Sequence, residues 1–225
     1  MPVISFATSK GGAGKTTSTI VLGTELAEGT QVIMIDADPA KRLTRWSTLT
    51  KLPENIHVIS SQGERFIQDE ISDAQKKAAF VLIDLEGSAS RLTSFAIAES
   101  DLVVIPSGEE QQDADAAIET LAEIEMEGRA RRRTIPAAIL FARTAAAVKS
   151  KLEKHIHSEM RKVGRVMDTE LHRRTAFSSL HNAGGGLRQL DASDVNGIDK
   201  ALVNAQAFAS EIIDILEENS RAQTA

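Results

Sequence analysis

The chain has 225 residues, a formal net charge of −6, 42% apolar and 26% charged side chains, and no cysteine. That size and balance suit one globular domain that buries its core unaided, and they exclude disulfides and thiolate-held metal or iron–sulfur clusters. No apolar run nears the roughly 18 residues that span a bilayer. The N-terminus carries no basic segment followed by an apolar one, so a cytoplasmic location is expected.

Val3-Ile4-Ser5-Phe6-Ala7 is a short apolar run, followed at once by Ser9-Lys10-Gly11-Gly12-Ala13-Gly14-Lys15-Thr16-Thr17 and a stretch of helical periodicity. Strand, glycine-rich turn and helix in this order form a phosphate-binding loop. The glycines let backbone N–H groups converge on the phosphates, and the helix adds its partly positive N-terminus. Lys15 supplies a point charge and the Thr16 hydroxyl a ligand for Mg²⁺. The usual spelling is G-x-x-x-x-G-K-[ST]; here Ser9 stands at the first glycine position and a second lysine, Lys10, follows it.

Residues 17–28 read as a helix with Ile20, Leu26 and Ala27 inward, stopped by Gly29. The run 31–35 is a buried strand that delivers Asp36-Ala37-Asp38-Pro39 to its carboxyl end, where open α/β sheets hold ligands. Carboxylates there can accept hydrogen bonds from water near Mg²⁺. Residues 40–52 carry Leu43, Trp46 and Leu49 at helical spacing, with Trp46 read as packing and Lys41 and Arg42 as solvated charge, or else as contacts to a partner.

A strand at 57–60 and a helix at 64–77, with Phe66, Ile67 and Ile71 on one side, lead to Phe80-Val-Leu-Ile-Asp84. Four apolar residues ending in an acid form the pattern in which the aspartate, Asp84, holds water on Mg²⁺. The run 102–106 is another buried strand, closed by Pro106. Residues 111–127 form a helix with Ala114, Ala117, Ile118, Leu121 and Ile124 inward and an acidic outer face.

A basic cluster follows, Arg129, Arg131, Arg132 and Arg133, then a strand at 135–141. The helix at 148–163 carries Lys149, Lys151, Lys154, Arg161 and Lys162, with Leu152, Ile156 and Met160 inward and His155 and His157 at the surface. Gly184-Gly-Gly186 reads as a mobile turn, and 196–219 as a closing helix with Leu202, Ala205, Phe208, Ala209, Ile212 and Leu216 inward. From 129 to 174 there are thirteen Lys/Arg against four Asp/Glu, or +9, which leaves −15 elsewhere. Such asymmetry points to a polyanion partner. No repeat or linker divides the chain, so residues 1–225 read as a single domain: a mostly parallel sheet with helices on both faces.

Lys10-Gly-Gly-x-Gly-Lys-Thr resembles the deviant Walker A box of the ParA/MinD group of ATPases. The resemblance extends to Asp36-x-Asp38-Pro and to Phe80 through Asp84, and becomes diffuse after Pro106. The nitrogenase iron protein, which shares the loop, is excluded by the lack of cysteine. The resemblance implies ATP and Mg²⁺ as ligands and a homodimer closed by ATP, in which Lys10 reaches the partner's nucleotide. It implies that Asp38 positions or activates the attacking water, with Asp36 a supporting carboxylate near the metal, so that Lys10, Lys15 and Asp38 are catalytic. Gly11 to Thr17 cradle the phosphates, Thr16, Asp36, Asp38 and Asp84 attend the metal, and Arg143 lies where relatives contact the base. The family's Gln-Gly after Asp-Pro and Thr-Pro-Pro after Asp84 are absent here; Leu85-Glu86-Gly87-Ser88 stands in the second place. Arg173-Arg174-Thr-Ala-Phe177 matches an element near the family's DNA-binding helix.

On this resemblance the chain is a short plasmid-partition ATPase of ParA type, without the N-terminal helix-turn-helix extension of larger forms. It would bind nonspecific DNA in the ATP state through Arg129, Arg131, Arg132, Arg133, Lys149, Lys151, Arg173 and Arg174, associate with the nucleoid, and be released when a ParB-like centromere-binding adaptor stimulates hydrolysis. A VirC1-type DNA-transfer or cargo-positioning accessory is the nearest alternative. A membrane-cycling enzyme of MinD type needs a basic amphipathic C-terminal helix, whereas residues 211–219 are acidic. A carboxylate-activating enzyme such as dethiobiotin synthetase would need a substrate pocket that the chain does not spell out. Guanine specificity is disfavoured, because Asn196-Gly-Ile-Asp199 lacks the lysine of Asn-Lys-x-Asp.

Overall fold

Apolar runs bounded by amphipathic segments leave a chain little choice but to wind a parallel sheet between two layers of helix. The computed structural model describes residues 1–146 and 148–224. Its strands are β1 (Val3–Phe6), β2 (Val32–Asp36), β3 (Ile56–Ser60), β4 (Phe80–Asp84), β5 (Leu102–Ser107), β6 (Ala137–Thr144) and β7 (Leu171–His172). They lie in the order β3-β2-β4-β1-β5-β6-β7, and every named pair is parallel. The helices are α1 (Lys15–Leu26), α2 (Arg42–Ser47), α3 (Ile67–Gln75), α4 (Arg91–Glu99), α5 (Gln111–Ala130), α6 (Lys151–Val163), α7 (Thr175–Ala183) and α8 (Ile198–Thr224).

Alternate residues of each strand face opposite layers. Ile4, Met34 and Leu82 pack with Ile20 and Leu22 of α1 and Phe208 and Ile212 of α8. Val3, Ile33, Val81 and Val103 meet Ile71 of α3, Ile97 of α4, Ala117 of α5 and Ile156 of α6. From β1 the chain passes to β2 on one side, while from β4 it crosses β1 to reach β5 on the other, so the winding reverses at β1 and β4. Parallel α/β sheets place their ligands at such a point. The register pairs Phe6 with Asp84 and Asp36 with Asp84, which sets the phosphate loop and both acidic motifs on three adjacent strand ends.

Several expected helix positions lie elsewhere. The helix α2 stops at Ser47, so Leu49 lies past its end and is exposed, whereas Trp46 is buried and its Nε1–H donates to the Gly185 carbonyl at 3.1 Å. In α3 the inward stripe is Ile67, Ile71 and Ala74; Phe66, one residue before the helix, is turned out to solvent. Ile118 falls at the margin of the Ala114–Ala117–Ile124 stripe, and Leu152 sits on the first turn of α6; both are exposed. Gly184-Gly-Gly186 is a packed turn rather than a mobile one. Gly184 and Gly185 take φ of +73° and +64°, and a Cβ on Gly184 would come within 2.8 Å of Leu49 Cβ. The helix α4 and the two-residue β7 are additions to the expected set.

Candidate functional site

The phosphate loop is built against α5. The Ser9 N–H donates to Thr120 Oγ1 at 3.1 Å, and the Ser9 hydroxyl faces the Ala116 carbonyl at 3.3 Å and Glu119 at 3.1 Å. Serine at the first glycine position therefore serves to anchor the loop. Gly12 and Gly14 adopt φ of +78° and +103°, left-handed conformations that only glycine takes without cost. Gly14 caps α1 with no side-chain cap bond, so the first amides of the helix stay available for an anion. Gly87, from the loop after β4, lies so close that a Cβ there would be 3.2 Å from both the Gly11 nitrogen and Lys15 Nζ. Arg143, itself at φ +62°, donates from its guanidinium to the Gly12 carbonyl.

Behind the loop, Thr16 Oγ1 donates to Asp84 Oδ2 at 2.7 Å in a fully buried pair. The other oxygen, Asp84 Oδ1, is buried without a hydrogen-bond partner. An orphaned carboxylate oxygen beside a threonine hydroxyl fits a hard cation that keeps most of its water, as Mg²⁺ does. Burial above all pushes the Asp84 carboxyl up to about 7, with the Thr16 hydrogen bond and Lys15 acting against the rise and Asp36 and Asp38 adding to it. Burial likewise lowers the pKa of Lys15, against the pull of Asp84 and Asp38. Its Nζ lies 3.4 Å from the Lys10 carbonyl.

Asp36, opposite Asp84 across the strand ends, spends its oxygens on the chain around it. Its Oδ2 accepts the Thr44 N–H at 2.7 Å and the Thr44 hydroxyl at 2.6 Å, and Oδ1 faces the Asp38 N–H at 3.3 Å. The carboxylate is committed to holding α2 and the Asp38 turn. Asp38 accepts from the Ala40 N–H at 2.8 Å through Oδ1, while Oδ2 meets Arg42 Nη1 at 3.3 Å. Lys41 is not simply solvated charge, and Arg42, though exposed, pairs with Asp38. Lys41, at φ +50°, donates to the carbonyls of Asp36 and Ser61 at 3.0 and 3.2 Å and so staples β2 to the segment after β3.

Lys10 does not share the Lys15 pocket. Its Nζ lies 2.6 Å from Asp113 Oδ1 at the start of α5, with about a third of the side chain (35%) exposed. It lines a polar cleft of about 510 Å³ together with Glu109, Glu110, Asp113, Arg143 and Arg173. A neighbouring cavity of about 300 Å³ runs past Gly14 and Thr17 to Arg174 and His181. Thr17 Oγ1 and His181 Nε2 are 2.8 Å apart.

A family model described as VirC1 protein matches residues 1–218. The chain belongs to the VirC1 protein family. With it the chain joins the ParA/MinD group of phosphate-loop ATPases. It is 39% identical to Protein ParA of Rhizobium radiobacter over 223 residues, covering 98% of this chain and all of that one. Protein virC1 of the same organism is 29% identical over 190 residues, 82% of each chain. Among solved structures, the ATP complex of a Cyanothece McdA variant superposes with a TM-score of 0.74 at 17% identity, over 94% of this chain and 96% of that one.

In this VirC1-family chain the expected basic residues do not form one surface. Arg129 to Arg133 precede β6, at the amino ends of the strands. Lys149, Lys151, Arg173 and Arg174 follow β6 and β7, at the carboxyl ends beside the phosphate loop. The eight residues of β6 separate the two sets by about 25 Å. Arg133 donates to the Ala98 and Ser100 carbonyls at the end of α4, and is thereby a structural group. Lys149 is a second correction. It lies 2.7 Å from Glu109, 2.6 Å from Glu170 and 2.8 Å from His157 Nε2. His157, expected at the surface, stacks on Phe141 with ring centroids 3.6 Å apart. Among the described residues Arg131, Arg132, Lys151 and Arg173 make no ion pair.

Sequence reasoning missed Arg42, Asp113 and the Glu109–Lys149–His157–Glu170 knot as parts of the site region. A cation four residues after Asp38 is the one local signal among them. The others come from segments far apart in the chain.

The buried Asp84 makes stability depend on pH. A folded-state pKa of about 7 against 3.8 for the ordinary side chain means that the native state holds a proton which the unfolded chain has lost. This contribution is complete below about pH 4 and disappears as pH rises through 7. Between pH 5 and 8 the ligand-free protein is expected to lose about 2–3 kcal/mol at 1.36 kcal/mol per unit, or roughly 5–10 °C in Tm. Asp84→Asn should flatten that fall in a thermal-melt series, and an unchanged slope would assign the fall to other groups.

Proposed function

We propose that this chain is an ATP-dependent, dimerising DNA-partition ATPase. It binds nonspecific DNA in its ATP state and is released when a ParB-like centromere-binding adaptor stimulates hydrolysis. The observation that carries this reading is Lys10: a second lysine on the rim of a complete phosphate loop, outside the Lys15 pocket and, among the described residues, held by a single ion pair to Asp113. A cation so placed is available to a nucleotide presented by a second copy. Full-length similarity to Protein ParA supports the same reading.

The loop amides from Gly11 to Thr17 and the Lys15 ammonium take the β- and γ-phosphates, and the nucleoside extends past Gly14 toward the cavity flanked by Arg143. Thr16 would hold Mg²⁺ directly and Asp84 through water; bound there, the ion neutralises charge building on the phosphates. Asp38 accepts a hydrogen bond from the attacking water and orients it in line. Turnover without the adaptor is slow because Asp38 alone arranges that water and the adaptor completes the site.

A dimer closed through the nucleotide end leaves Arg129, Arg131 and Arg132 on both outer flanks. ATP then strengthens DNA binding by joining two weak clusters into one bivalent surface, a phosphate-directed and salt-sensitive interaction. Retention on random-sequence DNA across a salt series, with ATP against ADP, tests this. The salt slope should steepen with ATP. Changing these three arginines to Gln should weaken binding and flatten the slope by about 0.9 for each DNA phosphate no longer neutralised. Unchanged retention would move the interface to Lys151, Arg173 and Arg174.

The VirC1 family match over residues 1–218 favours a second reading, a DNA-transfer or cargo-positioning accessory with the same nucleotide cycle. Stimulation of hydrolysis by a centromere-binding protein separates the two, since only partition requires it. A fluorescent fusion should coat the nucleoid when ATP hydrolysis is blocked.

A further inference from the structure

The acidic turn after β2 carries a cation whose contacts are not explained by stability. Arg42 Nη1 meets Asp38 Oδ2 at 3.3 Å, with 58% of the arginine side chain exposed against 11% of the aspartate. An ion pair so open to water contributes at most about 1 kcal/mol. The backbone beneath it is nevertheless fixed on every side: Asp36 grips Thr44, Lys41 staples two carbonyls, and the Lys41 N–H closes the turn on the Asp38 carbonyl at 2.9 Å. The turn thus presents one oxygen of Asp38 to the Ala40 N–H and the other to Arg42.

We propose that Arg42 is a positioning residue for ATP hydrolysis, its guanidinium fixing the Asp38 carboxylate in the orientation that aligns the attacking water. The inference rests on the reading of Asp38 as the water-orienting group. In the step concerned, a water oxygen attacks the γ-phosphorus and the bond from that phosphorus to the β–γ bridging oxygen breaks. ADP leaves with the electron pair, and the water's proton passes to the inorganic phosphate. A carboxylate free to rotate would spend part of its time with neither oxygen aimed at that water, and small misplacements in such geometry are costly. Arginine suits the task because its charge is permanent and its donors are held in a rigid plane. The Arg42 charge also reaches Lys15 and His181, lowering the pKa of each, though in both burial is the larger cause. The guanidinium therefore lies in the same electrostatic neighbourhood as the group that takes the γ-phosphate.

The test compares the full chain with Arg42→Gln, Arg42→Lys, Asp38→Asn and the Arg42→Gln/Asp38→Asn double variant. The measurements are kcat and KM for ATP, affinity for a non-hydrolysable ATP analogue, and the lifetime of the ATP-bound dimer by size-exclusion chromatography. Arg42→Gln should lower kcat about 10- to 100-fold, with KM and analogue affinity within twofold and a longer-lived dimer. Arg42→Lys should recover part of the rate, and the double variant should be no slower than Asp38→Asn alone. An unchanged kcat, a loss carried by KM and analogue affinity, or additive losses in the double variant would each overturn the proposal while leaving Asp38 in place. Normal hydrolysis by Asp38→Asn would instead remove the reading on which it rests.

Discussion

Lys15→Ala is expected to abolish ATP binding and hydrolysis, with the fold intact. The Lys15 ammonium is buried beside Asp84 and Asp38, and Gly87 closes over it. A water in its place would bring no positive charge to the phosphates. Truncating one member of a buried, charge-assisted pair costs about 2–5 kcal/mol, which at 1.4 kcal/mol per decade lowers affinity by roughly 30- to 4,000-fold. Titration with a fluorescent ATP analogue measures that loss, and circular dichroism checks the fold. Retained affinity within a few-fold of the parent would mean that the loop amides suffice and that the lysine acts only in the chemical step.

The second large effect concerns Asp38 and Lys10 together. Asp38→Ala is expected to leave ATP bound and uncut and to accumulate a stable dimer, since on the proposed reading the carboxylate acts on the water while the loop grips the phosphates independently. Lys10→Ala in that background should return the dimer to monomer while ATP remains bound. In the proposed dimer Lys10 would exchange its partly exposed ion pair with Asp113 for a partner's phosphate, a charge-assisted bond that is stronger than a neutral one. Light scattering with ATP distinguishes the outcomes. A monomeric Asp38→Ala protein loaded with ATP would remove Asp38 from the water-handling role, and a dimer indifferent to Lys10 would remove the exchange between subunits.

The basic segment shows what composition does and does not convey. Along the chain, an excess of +9 over residues 129–174 points to a polyanion partner without showing whether the charges share a face. In the fold it is split between the two ends of the sheet, and part of it is neutralised locally. Arg133 ties its loop to the end of α4, Lys149 sits within a ring of Glu109, His157 and Glu170, and Arg165 pairs with Glu218 at 2.7 Å. The helix α4 has local signals of its own: Ser90 caps it by accepting the Thr93 N–H at 3.2 Å, and Leu92, Phe95 and Ala96 follow at helical spacing. Its short length and serine-rich approach hide it. Leu152 and Ile118 mislead because periodicity tells which side of a helix is apolar, but not how much of that side another element covers.

By itself the sequence determined the phosphate loop, the buried strands and the acids at their ends. Each of these depends on local chemistry, namely glycine at left-handed turns and unbroken apolar runs that only a doubly covered parallel sheet can bury. The tertiary structure alone decided which charges meet. The order β3-β2-β4-β1-β5-β6-β7 brings Asp84 against Thr16 and leaves one of its oxygens unpartnered. It also turns Asp36 into a brace, sets Lys10 on Asp113 across 103 residues of chain, and carries the arginine cluster to the end of the strands away from the nucleotide. Those pairings are set by the folded chain's path through space, because a charge takes its partner from neighbours within a few ångströms and sequence fixes only the neighbours along the backbone.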